Sequence, residues 1–125
     1  MATSPELLDH AFDLFSGLGK ITTGRMFSGT ALYVEDDVMF AAILGDTFWM
    51  KSDASTHDAF VAAGSRPFSY MRATGERQAT SLMSLPDAAM DDPGEALKWA
   101  RLSLPPARTA AEAKRRTKAR KKAQN

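Results

Sequence analysis

The 125-residue sequence contains no cysteine. That absence excludes a disulfide framework, thiolate zinc sites and a cysteine nucleophile, and it suits a reducing compartment. Histidine is nearly as scarce: His10 and His57 stand far apart, too sparse to hold zinc without thiolate help. Long apolar runs are missing as well. The longest, Val38 to Leu44, falls far short of the roughly 20 residues that cross a bilayer. The first residues, Met-Ala-Thr-Ser-Pro-Glu-Leu-Leu-Asp-His, carry acids where a signal peptide needs basic residues before an apolar stretch. A cytoplasmic protein with no membrane partner is therefore expected. The glycines are scattered, with no phosphate loop or dinucleotide fingerprint. Neither a cofactor, nor a metal, nor a small-molecule substrate is expected.

What the chain does have is a greasy ribbon, Val38-Met39-Phe40-Ala41-Ala42-Ile43-Leu44-Gly45-Asp46-Thr47-Phe48-Trp49-Met50-Lys51. It reads as two strands joined at Gly45-Asp46, where glycine suits a mirror-image hairpin turn. Strict alternation puts Val38, Phe40, Ala42 and Leu44 on one face and Met39, Ala41 and Ile43 on the other. Both faces are apolar, so the strand belongs in the interior of a sheet. If helices cover the Phe40 face, then Met39, Ile43 and Trp49 need cover from elsewhere, either from a crossing helix or from a partner.

Around the ribbon, Ser4 caps a first helix with Pro5 at its first position and Glu6 in its first turn. Leu8, Ala11, Phe12, Phe15 and Leu18 form its apolar stripe, and Gly17 and Gly19 end it. Ile21 to Phe27 and Thr30 to Val34 read as strands around Ser28-Gly29, and Glu35-Asp36-Asp37 turns into the ribbon. After Lys51, Asp53 or Ser55 caps a second helix with Ala59, Phe60 and Ala63 inward and Gly64 at its end. Two weaker strands follow, Arg66 to Met71 and Gln78 to Leu82, around Gly75. Pro86 to Met90 suits a single helical turn. A third helix starts at Asp92-Pro93, lines up Leu97, Ala100 and Leu104 with Trp99 beside them, and stops at Pro105-Pro106. The expected architecture is α+β: an antiparallel sheet of five to six strands with helices packed on it, in the order α-β-β-β-β-α-β-β-α.

The formal net charge of +1 hides a division. Residues 1–107 carry eight Lys and Arg against fourteen Asp and Glu, whereas residues 108–125 carry eight against Glu112 alone. The body is thus acidic by six charges and the end basic by seven. Residues 1–107 are expected to be the folded domain, and residues 108–125 a low-complexity basic tail. Nothing larger than Ala is available there to bury, so disorder or fraying is expected. Lys114, Arg115, Arg116, Lys118, Arg120, Lys121 and Lys122 suit sequence-independent binding to DNA or RNA phosphates. A solvated tail that folds back on the acidic body is the plainer alternative.

His57 near Ser52, Asp53, Ser55 and Asp58 invites a hydrolytic interpretation, yet short polar residues at a helix start ordinarily accept backbone hydrogen bonds. No nucleophile elbow surrounds any serine. His10 reads as an exposed helix residue. Asp36-Asp37 and Asp91-Asp92 lack the alternating pattern of a calcium loop and suit turns and caps. No catalytic residue is nominated, and the chain is not expected to be an enzyme.

The ordered series Arg25-Met26-Phe27-Ser28-Gly29, Met39-Phe40-Ala41, Trp49-Met50-Lys51, Phe60 with Ala63-Gly64, Pro67-Phe68-Ser69-Tyr70, Leu85-Pro86 and Trp99-Ala100-Arg101 resembles the N-terminal domain family of TfoX/Sxy, the regulators of natural competence. The resemblance runs from Leu7 to Pro106. It departs from the family at Met26-Phe27-Ser28-Gly29, where Met-Phe-Gly-Gly is usual, and at Met83-Ser84, where Tyr-Tyr is favoured before Leu-Pro. It implies a bacterial, non-enzymatic regulatory or adaptor role exercised through a protein partner or a homodimer. The shared motifs add Arg25, Met26, Phe27, Lys51, Phe68 and Tyr70 to the candidate interaction surface of Met39, Ile43 and Trp49.

Overall fold

The Ser4 hydroxyl accepts the Leu7 amide, and Pro5 occupies a first-turn position where its missing N–H costs nothing. The helix they start, α1 (Pro5–Phe15), runs on through a 3-10 turn over Ser16–Leu18. The protein is described here by a computed structural model covering residues 3–27 and 29–124. Ser28, expected at the first strand turn, lies outside the described residues. In α1 the fully buried residues are Ala11, Leu14 and Phe15. Leu14 takes the core place expected of Phe12, which stays only half-buried at the margin.

Four strands follow: β1 (Thr22–Met26), β2 (Gly29–Val34), β3 (Val38–Leu44) and β4 (Thr47–Lys51). After α2 (Ala54–Ala62) come β5 (Pro67–Arg72) and β6 (Gly75–Ser84), and then α3 (Pro93–Gln124). The six strands form one antiparallel sheet in the order β1-β2-β3-β4-β6-β5. The expected α+β architecture and element order are thus what the chain adopts. Gly45, at φ +66°, turns β3 into β4 in the left-handed region that favours glycine. At Gly29 a Cβ would sit 2.0 Å from the Ile43 carbonyl oxygen, so β2 can approach β3 only without a side chain there.

The alternation along β3 is not strict. Leu32 pairs with Ala41 but Tyr33 with Met39, which leaves Phe40 as an extra residue, a β-bulge. Phe40 and Ala41 both join the core cluster, and the alternation beyond them is inverted. Ile43 therefore packs into the core with Phe48 and Met50, while Ala42 and Leu44 turn to the face of Trp49. This corrects the simple two-residue period, which places Ile43 on the outer face and Leu44 on the inner one.

All three helices supply side chains to that one cluster. Ala11, Leu14 and Phe15 come from α1, Phe60 from α2, and Ala96, Trp99 and Ala100 from α3. Phe15 meets Phe40 and Phe48 edge to face at 5.3 and 6.2 Å, and Phe60 lies 4.8 Å from Trp99. In α2 the inward residues are Thr56 and Phe60; Ala59 and Ala63, expected to face in, are exposed. Asp53 caps this helix, its carboxylate accepting from Ser55 while Thr56 Oγ1 accepts the Asp53 amide. His10 is not simply exposed. Its Nε2 donates to the Met90 carbonyl at 2.6 Å, and its ring stacks 6.0 Å from Phe48.

The largest departure from expectation lies in α3, which does not end at Pro105-Pro106 but continues to Gln124. The prolines cannot donate to the preceding turn, so two helical hydrogen bonds are missing there. Tertiary contacts offset that loss. Pro106 is buried, and Ala107 and Ala111 pack into the core cluster with Val38. Arg108 pairs with Glu35, and an Arg115 nitrogen donates to both Asp37 oxygens at 2.7 Å. The basic segment expected to be disordered is therefore helical. Ala107 and Ala111 are buried against the body, and the acidic β2–β3 turn supplies counter-charges for Arg108 and Arg115.

Candidate functional site

All three helices feed the core on one face of the sheet. The second half of α3 also reaches the far end of the opposite face, beside Tyr33, Met39 and Lys51, but no described helix lies over its β5 end. Register assigns Ala42, Leu44, Trp49 and Leu82 to that face. At one end of it lies a groove of about 810 Å³. One wall is Met26 and Phe27, where β1 turns towards β2; the other is Phe68, Tyr70 and Met71 of β5. Leu44, Trp49 and Leu82 form the floor. The concavity has a structural cause. Pro67 pairs with Met83 but Phe68 with Ala79, so β6 carries extra residues there and the β5–β6 hairpin bends.

Trp49 is buried beneath its neighbours. Phe68 contacts it edge to face at 5.1 Å, and the Arg66 guanidinium lies 5.9 Å from its ring. Its indole N–H is buried with no hydrogen-bond partner among the described residues. Phe68 stacks on Tyr70, and Arg72 lies 5.7 Å from the Tyr70 ring. Among the described residues no carboxylate lines the groove, while Arg72 does. Two side chains at its rim are unusually open for their chemistry: Phe27 is 74% exposed and Met71 76%. Phe27 also holds φ +51°, a left-handed backbone that costs a bulky residue free energy. Strain and exposure on the same apolar residue mark a place where folding alone does not account for the side chain.

Of the nine sequence-nominated surface residues, Met26, Phe27, Trp49, Phe68 and Tyr70 come together in this groove. Met39 and Lys51 share the face but sit at its other end, beside the second half of α3. Arg25 pairs with Thr30, whose own partner is Ile43, and so belongs to the helix-covered side; it is exposed there. Ile43 is fully buried in the core. Leu44, Met71, Arg72, Ala79 and Leu82 line the groove without having been nominated. Met71-Arg72 beside the Gly75 turn was a usable signal, since a strand end beside a turn seldom buries its side chains; Leu44 could not be assigned without the bulge.

The polar residues near His57 line a separate hollow with Thr80 and Ser81. Their hydrogen bonds serve α2: Ser52 Oγ is 2.7 Å from Thr56 Oγ1, and Asp53 Oδ1 accepts from the Ser55 amide and hydroxyl. Among the described residues His57 makes no hydrogen bond to either serine, and no cluster of three or more His, Asp or Glu is placed to hold a metal. No described helix is long and apolar enough to cross a membrane. In the basic segment, Lys114, Arg116, Lys118, Arg120, Lys121 and Lys122 are exposed on α3, while Arg115 is engaged by Asp37.

Glu35 and Arg108 perturb each other. The hydrogen bonds and charge of Arg108 hold the Glu35 carboxyl below the usual carboxylate range, and Glu35 raises Arg108 in turn. Lys51 moves the other way. Burial is the main cause that lowers its ammonium from the ordinary lysine value, and the nearby Lys114 charge adds to it.

Among known proteins, the family model described as the TfoX N-terminal domain matches residues 13–107. No curated protein matches the chain.

Proposed function

Since the chain belongs to the TfoX N-terminal domain family, we propose that it is a regulatory or adaptor domain that works through protein–protein contacts without turnover, and that the groove at the uncovered end of its outer sheet face receives the partner. The observation that carries this reading is the exposed, strained Phe27 facing Tyr70 and Met71 across an apolar floor. Flexible methionines and aromatic anchors are the side chains that protein interfaces enrich. Arg72 at the groove, Arg66 above Trp49 and the lack of a lining carboxylate favour a partner that presents apolar residues flanked by acids.

A photo-crosslinker at position 70 or 71, compared with one at exposed Asp13 on α1, tests the reading in cells. Nuclease-resistant protein adducts specific to positions 70 and 71, lost on Phe27→Glu, support it; an adduct to the chain itself identifies a homodimer. Equal adducts from both faces, or adducts that vanish with nuclease, overturn it.

A second reading has its own support. The exposed cations of α3 share the segment 108–124 with only one acid, Glu112, and they suit sequence-independent contact with nucleic-acid phosphates. On this reading, reversing Lys118, Arg120, Lys121 and Lys122 to Glu abolishes retardation of DNA at low salt. Unchanged retardation refutes it.

A further inference from the structure

The other end of the same sheet face holds a second, smaller hollow. Tyr33 and Met39 are cross-strand partners there, and β4 ends beside them on Lys51. The second half of α3 closes over these residues with Ala107, Ala110 and Lys114 and leaves a cleft of about 100 Å³. Two of the groups lining it are lysines, one from the sheet and one from the helix. Among the described residues neither Lys51 nor Lys114 makes a hydrogen bond or an ion pair. One carboxylate, Asp37, borders the cleft, but both of its oxygens already accept from Arg115.

Two ammonium groups are thus brought together against apolar walls with no counter-charge of their own. Their mutual repulsion and the partial burial of Lys51 oppose folding, as the lowered proton affinity of Lys51 reflects. Such an arrangement is complementary to an anion. The cleft is small, about 100 Å³, a size that suits a single tetrahedral oxyanion. We propose that this cleft binds a single phosphate group between Lys51 and Lys114. The bound group bridges β4 and α3 and fastens the helix to the sheet beyond Pro106. The phosphate comes either from free inorganic phosphate or from a nucleic-acid backbone.

The test uses the full chain. Sodium phosphate is titrated against sodium chloride at constant ionic strength, and the backbone amides of Ala110 and Lys114 are followed by NMR. Saturable shifts are expected, with affinity at least tenfold weaker in Lys51→Met and in Lys114→Gln and unchanged in the distant Lys121→Gln. A single-stranded hexanucleotide is titrated in parallel. Binding that weakens in Lys51→Met and is competed by phosphate identifies the backbone as the source. Hexanucleotide binding that ignores Lys51, beside phosphate binding that needs it, identifies free phosphate. Urea melts of each variant establish that the fold is intact; Met keeps most of the lysine stem, so Lys51→Met should melt no earlier than the parent. The proposal fails if phosphate gives no saturable shift, or if Lys121→Gln weakens binding as much as Lys51→Met does, since that result means general screening.

Discussion

The two faces of one sheet, built from the same strands, have opposite characters. On the inner face Phe40, Ile43, Phe48, Met50 and Met83 are almost wholly removed from water beneath three helices. At the groove on the outer face Phe27 and Tyr70 are exposed, as is Met71 at its rim, and a buried indole N–H has no partner among the described residues. The inner face is arranged for stability: aromatic rings meet edge to face, and Phe15, Phe40, Phe48, Ile43 and Met50 are fully buried. The outer face keeps apolar surface and backbone strain that folding alone would remove. Where selection for stability is the only pressure such features are eliminated, so the contrast separates the residues that hold the protein together from those proposed to meet a partner.

The comparison can be broken most forcefully from the inside. Phe48→Ala should cost about 3–5 kcal/mol in urea unfolding, because the cavity lies under α1 and cannot collapse. A loss below about 1 kcal/mol would mean that the inner face is not the core. Gly29→Ala tests the junction of the two faces. Its new Cβ would meet the Ile43 carbonyl at 2.0 Å, so β2 must shift, at a cost of roughly 1–3 kcal/mol.

On the outer face the expected sign reverses. Phe27→Asn, which tolerates a left-handed backbone, should stabilise the fold by up to about 1 kcal/mol while abolishing position-71 crosslinking. Destabilisation with crosslinking intact would assign Phe27 a folding role instead. Met71→Ala should change stability by no more than about 0.5 kcal/mol, since the residue is 76% exposed.

The smallest effect concerns α3 and pH. Glu35 titrates below the usual range in the folded protein because of Arg108, so its contribution is present above the unfolded carboxylate value. It is lost as pH falls through the lowered folded value. Acidification should therefore raise amide exchange in residues 108–120 before the sheet responds, and Arg108→Gln should remove that step. Exchange that rises uniformly along the chain would show that the pair does not fasten the helix.

Much of this was legible in the residues. Capping at Ser4 and Asp53, the Gly45-Asp46 turn and the apolar ribbon fix elements locally, through hydrogen bonds and backbone preferences spanning a few positions. Of the five groove residues nominated, Trp49 came from the ribbon's pattern, whereas Met26, Phe27, Phe68 and Tyr70 came from the motifs shared with the family. Ile43 and Leu44 were exchanged because a bulge depends on how β2 and β3 meet, and a single strand carries no trace of its partner's register. Residues 108–124 looked disordered because their local sequence offers nothing large to bury. What orders them is Val38, Glu35 and Asp37, some 70 positions earlier in the chain.

The sequence by itself determined the inventory: three helices, six strands, an acidic body, a basic end and an apolar middle. Those features follow from periodicity, caps and charge counts, which act over short spans. Only the tertiary structure decided that all three helices feed one core, that the ribbon's alternation flips at Phe40, and that two lysines 63 positions apart share a cleft. Each of these depends on contacts between residues distant in the chain, whose energies no local pattern records.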